Sequence, residues 1–280
     1  MKNILTLFCT ICLLGVNMAS AQNIKTPAAS TTQTLTQDFA LSQIKLSYSR
    51  PNAKGRKIYG DLVPYGNVWR TGANSPTKIT FGEDVSFEGQ AVPAGEYALY
   101  TIPGKTEWTI ILSKNTKLWG AFGYNDADDL LRVKVKPLNL AKKVETFTIE
   151  MASVLPASCE LILNWEKTSV PIKITANIDG KIMAAIDSAM KGEKKPYQQA
   201  AAYYFDNGKD LNKALEWANE AVNANPKAYW VEYLKAKIQF KLGKKTEAIA
   251  SAKHSMEEAE KQNNPDYVAL NRKLISEASK

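Results

Sequence analysis

At 280 residues, 45% apolar and with a formal net charge of +8, the chain has the material for a sizeable buried core and the length for two domains. One histidine and, without the leader-like segment that carries Cys9 and Cys12, one cysteine are too few ligands for a His/Cys metal centre, and the lone imidazole, His254, lies outside the strand-forming half, so Ser-His-Asp and Cys-His catalysis have no base there. The charge is moderate and carried mostly by lysines spread along helix-forming stretches, which sets nucleic acid aside as a partner.

The first elements concern export. Lys2 precedes the apolar run "ILTLFCTICLLGV", residues 4–16, and Ala19, Ser20 and Ala21 offer small-residue cleavage before Gln22, so residues 1–21 read as a secretory signal peptide. The expected location is the periplasm or the cell exterior. The run is shorter than the roughly 20 residues a membrane span takes, and no later segment comes close, so no membrane insertion is expected. Losing the leader removes Cys9 and Cys12 and leaves Cys159 alone, in "CELILNW", where it reads as a small buried hydrophobe. Residues 22–37, rich in Thr, Ser, Ala and Gln, read as a flexible linker.

Over residues 38–176 apolar side chains recur at every second position. Ile44, Leu46 and Tyr48 are followed by Ile79 and Phe81, Val85 and Phe87, Tyr97 and Leu99, then Trp108, Ile110 and Leu112. Leu131, Val133 and Val135 come next, then Phe147, Ile149 and Met151, Leu161, Leu163 and Trp165, and last Ile172 and Ile174. Short alternating runs broken by Gly, Pro and Asn predict an all-β N-terminal domain, an antiparallel sandwich or barrel. Past residue 177 the period becomes helical: Ile178, Ile182, Ile186 and Met190 form one stripe, and further helices are predicted from Pro196 to Gly208 and over 211–224, 226–242, 246–262 and 265–278. Ala214 and Ala248 lie 34 residues apart in similar contexts, each preceded by a glycine, Gly208 or Gly243. This all-α part, 177–280, resembles the tetratricopeptide pattern, a repeat that supplies docking grooves for protein partners.

Between Lys45 and Lys78 seven basic residues face a single acid, Asp61, and Tyr48, Tyr59, Tyr65 and Trp69 stand among them. Guanidinium groups take carboxylates or phosphates as a fork, and aromatic faces stack on sugar rings. This suggests a shallow site for a small anionic or carbohydrate-like ligand, with Arg50 and Arg70 on the anion, Tyr65 and Trp69 as a wall and Asn74 orienting the ligand. The alternative makes Trp69 a core anchor and gives Arg70 a partner inside the protein. A second surface is the long connection "SKNTKLWGAFGYNDADD", residues 113–129, where Trp119 and Tyr124 are ligand candidates. Its Asp126 and Asp128 are weak metal candidates, because the glycine and distal glutamate of an EF-hand loop are missing; a polar turn or helix cap is the simpler reading. Nothing in the sequence implies a cofactor or assigns a catalytic residue.

The segments "RPNAKGRKIYGDLVPYGNVWRTGANSPTKITF", "VPAGEYALYTIPG", "WTIILSK" and "WGAFGYN" resemble the DUF2911 family over residues 41–165. The resemblance implies an exported β-rich domain, in some members followed by helical repeats, and brings no activity and no catalytic residues with it. The sequence therefore points first to an exported binding protein. A carboxylate-dependent hydrolase of glycan or cell-envelope material and a scaffold without a small-molecule site are the alternatives.

Overall fold

The computed structural model describes residues 26–280; the segment expected as a signal peptide, residues 1–21, and the first part of the expected linker lie outside the described residues. The chain divides into two units, residues 1–176 and 177–280.

The first unit holds two antiparallel sheets. One runs in the order β1 (Thr31–Phe39), β2 (Ser42–Arg50), β3 (Ala73–Phe81), β6 (Gly95–Ile102), β7 (Trp108–Ser113) and β8 (Asp129–Val135). The other runs β5 (Gln90–Val92), β4 (Val85–Phe87), β10 (Ser158–Thr175) and β9 (Leu138–Leu155). Ile44, Leu46, Ile79, Leu99 and Ile110 of the first sheet share one core with Phe147, Ile149, Leu161 and Ile172 of the second, each at most 1% exposed. The all-β reading therefore holds, as a sandwich closed by the inward half of each alternating strand.

Two features depart from the sequence reading. The expected linker is a strand from Thr31 onward, paired along its whole length with β2 from Thr31 opposite Arg50 to Phe39 opposite Ser42. Its threonines are β-branched and suit an edge, and only Leu35 and Phe39 reach the core, so its apolar period is nearly silent. The runs ending at Trp165 and beginning at Ile172 are one strand, β10. Its inward residues are odd-numbered up to Trp165 and even-numbered from Val170 to Ile174, and register shifts against β9 fall between, around Glu166, whose φ is +54°. One extra residue turns every later side chain to the other face, so the bulge keeps both runs inward.

In the second unit, α1 (Asp179–Ala189), α2 (Tyr197–Asp206), α3 (Leu211–Ala224), α4 (Tyr229–Lys241), α5 (Lys245–Lys261) and α6 (Pro265–Ala278) follow the helical periods closely. The start of α4 is later than expected because Asn225 to Ala228 form a turn, with the Ala228 amide donating to Asn225 O at 3.0 Å. The Asp210 carboxylate caps α3 through the amides of Asn212 and Lys213, and the Asn264 side chain caps α6 through that of Tyr267. Gly208 and Gly243 end α2 and α4 at φ of +64° and +78°. Buried Ala214, Trp217 and Ala218 of α3 recur 34 positions later as buried Ala248, Ser251 and Ala252 of α5. Two of these three pairs are alanine in both helices, and in the third Trp217 corresponds to Ser251.

Candidate functional site

The connection from β2 to β3 folds against both sheets. Asn52 bridges to Thr146, the Ala53 amide donates to Glu145 O at 2.8 Å, and Trp69 exchanges backbone hydrogen bonds with Thr101 at 2.7 and 2.9 Å. Ile58, Tyr59 and Val63 of this connection are buried in the sandwich core. The chain can re-enter β3 only because residue 72 is glycine: a Cβ there would stand 2.9 Å from Ser49 O, at a φ of +149°.

Trp69 is 9% exposed and lies near-parallel to Trp165, with ring centroids 5.8 Å apart and planes at 17°. Phe147 and Tyr59 meet it edge-on at 5.1 and 6.2 Å, and its Nε1 donates to Gly72 O at 3.0 Å. Trp69 is therefore a core anchor and at the same time a wall of the space beside it. Beside this stack a cavity of about 280 Å³ is lined by Arg56, Arg70, Trp69, Trp165, Pro51 and Leu62 among others, and no carboxylate of the described residues lines it. Arg56 is held by its own turn, Nε donating to Ala53 O at 3.0 Å and Nη2 to Asn52 O at 2.7 Å. Arg70 is half-buried, its Nε has no acceptor, and none of the described carboxylates pairs with it. A Cβ on Gly120 would stand 3.1 Å from Arg70 Nη1, so this guanidinium also touches the 113–129 connection.

The remaining candidates are drawn elsewhere. Arg50 joins the two sheets, donating from Nε to Phe147 O at 3.2 Å and from Nη2 to the Thr148 hydroxyl at 2.9 Å, so it is spent on architecture. Asn74 sits at φ +60°, which asparagine tolerates, and its amide donates to Ser49 Oγ at 3.1 Å and Ser30 O at 3.4 Å. Tyr65 is 39% exposed and its ring lies over Gly60, where a Cβ would stand 2.6 Å from it; it does not line the cavity.

The 113–129 connection packs on the outer face of the first sheet. Leu118, Ala121 and Tyr124 cover buried Ala98, Tyr100 and Ile111, which leaves Trp119 and Phe122 outward at 69% and 88% exposure. Tyr124 donates its hydroxyl to Asp129 Oδ2 at 2.6 Å and accepts from Arg132 Nη2 at 2.9 Å, so it faces a neighbouring strand instead of solvent. Burial first, then the Asp129 carboxylate, pushes its phenol well above the usual range. Asp126 and Asp128 lie in a 3-10 turn capped by Asn125, and Asp128 Oδ2 accepts from Asn115 at 3.0 Å. No group of three His, Cys, Asp or Glu side chains fit to hold a metal ion occurs among the described residues. Cys159 is 1% exposed, and burial pushes its thiol up to about 11, which makes it inert at neutral pH.

Of the ligand candidates named from the sequence, Trp69 and Arg70 line this cavity and Arg50, Tyr65, Asn74, Trp119 and Tyr124 do not, whereas Arg56 and Trp165 line it without having been named for it. Arg56 had a signal, its place in the basic stretch. Trp165 had none locally, because it reaches Trp69 only through the facing of the two sheets.

No curated protein and no solved structure matches the chain. The family model described as "Protein of unknown function (DUF2911)" matches residues 30–174, just over half of the chain. That span begins at the residue before β1 and ends one residue before the end of β10, so it takes in both sheets, the cavity and the aromatic connection. The β-sandwich with its two-arginine, two-tryptophan cavity thus belongs to the DUF2911 family.

Proposed function

We propose that this chain is an exported binding protein whose β unit holds a small anionic ligand at the cavity beside Trp69, and whose helical unit docks a protein partner. The observation that carries the reading is the lining of that cavity. Two arginines and two tryptophans contribute to it without a carboxylate, and Arg70 Nε is buried with no acceptor. A buried donor without a partner costs about 1 to 3 kcal/mol, and a ligand oxygen would recover that cost while gaining a charge-assisted bond. Export is supported by the leader-like residues 1–21. Arg50, Asn74 and Tyr124 leave the ligand set because none of them lines the cavity.

The test is thermal unfolding of the chain from Gln22 to Lys280 with inorganic phosphate, acetate, glucuronate and neutral glucose. An anion at 100 times its dissociation constant stabilises by about 2.7 kcal/mol, a shift of a few degrees. The expected outcome is a shift from at least one anion, none from glucose, and loss of the shift in both Arg70→Ala and Arg56→Gln while their unliganded midpoints stay near the parent. A shift that survives both substitutions, or no shift from any anion, would overturn the reading.

A further inference from the structure

The helical unit contains a second cavity, of about 400 Å³, whose lining includes Phe205 of α2, Lys237, Phe240 and Lys241 of α4, and Leu270 and Lys273 of α6. These are alternate helices of the array, and α4 packs directly against both α2 and α6. Helices in contact lie about 8 to 10 Å apart, so the three span roughly 20 Å, the length of about six extended residues. The cavity therefore crosses a groove wide enough for a peptide segment.

Its charge is one-sided. Lys237 and Lys241 stand one helical turn apart on the same face of α4. Both ammonium groups lie over the Phe205 ring, 4.8 and 5.1 Å from its centroid, and Lys237 is also 5.4 Å from that of Tyr233. An aromatic ring holds a cation without neutralising it. Glu277 is the one acidic residue of the lining, and its carboxylate approaches Lys273, at 4.0 Å. Two ammonium groups gathered at one ring repel each other, and a carboxylate placed between them relieves that repulsion. Phe240, Leu270 and Leu274 add apolar surface beside the charges, with Leu270 40% exposed. We infer that this groove binds an acidic peptide segment, its carboxylates on Lys237 and Lys241 and an apolar side chain of the same segment against Phe240 and Leu270. The inference rests on reading the helical unit as the docking part and names the chemistry of what docks there.

The probes are three fluorescein-labelled hexapeptides with the same central leucine, flanked by glutamates, glutamines or lysines, titrated by anisotropy into the chain from Gln22 to Lys280. The expected result is binding of the glutamate peptide, at least tenfold weaker binding of the glutamine peptide, and weakening as salt rises. Lys237→Glu with Lys241→Glu should abolish binding, whereas Lys253→Glu with Lys261→Glu, an equal change of charge on α5, should leave it within twofold. Equal binding of glutamate and glutamine peptides, lost in Phe240→Ala, would overturn the acidic assignment and keep the groove as a docking site. No binding of any of the three would overturn both. Neither outcome bears on the anion response at Arg56 and Arg70, which is read separately.

Discussion

Among the aromatic side chains of the β unit, Trp69 and Trp119 show how far burial separates residues that look alike in sequence. Trp69 contacts Trp165, Phe147 and Tyr59 within one core, whereas Trp119 projects at 69% exposure. Trp69→Ala should cost about 3 to 5 kcal/mol through lost burial and the cavity left behind, read as a lower urea midpoint. Trp119→Ser should change the midpoint by no more than about 0.5 kcal/mol. Equal effects of the two substitutions would contradict the burial described here. The same division explains which candidate residues the sequence located. Arg70 and Trp69 adjoin in the chain and both reach the cavity, but the tasks of Arg50 and Asn74 are set by Phe147 and Ser49, partners that no local pattern around them names, and Tyr124 is taken by Asp129 of its own segment.

The strands and helices were largely legible because most bury one face and leave the other in water, which writes a period into the chain. Legibility failed where that condition fails. β1 is a polar edge, so residues 31–37 carried the composition of a tether although they pair fully with β2. The bulge in β10 broke its period into two apparent strands. A chain beginning at Ala40 would lack β1 and uncover the backbone edge of β2, whose Ile44, Leu46 and Tyr48 are buried. Exposed apolar edges pair with other chains. Such a truncated chain should self-associate during size-exclusion chromatography and melt several degrees lower; a monomer of unchanged midpoint would show that β1 is dispensable.

Across the whole molecule, the two units are built from contacts of very different reach. Helices α2 to α6 pack mainly on their neighbours in sequence, whereas the β unit ties Asn52 to Thr146 and pairs Phe87 of β4 with Ile174 of β10. Loop closure over such separations is entropically costly, so contacts distant in sequence slow folding. Refolding from urea should therefore show fast recovery of helical circular dichroism at 222 nm and slower development of β-sheet signal at 215 nm; a single shared phase would mean that the two units form together. The position of β10 adds an asymmetry in time. It is the last strand of its unit and lies between β4 and β9 in its sheet. During synthesis the earlier strands wait for residue 175 before their second sheet can be completed, and until then the inward face of the first sheet lacks the Leu161, Leu163, Trp165 and Ile172 side chains that cover it. The span from β4 to β10 is thus an interval in which this chain, whatever it binds once folded, depends on being kept from premature contacts.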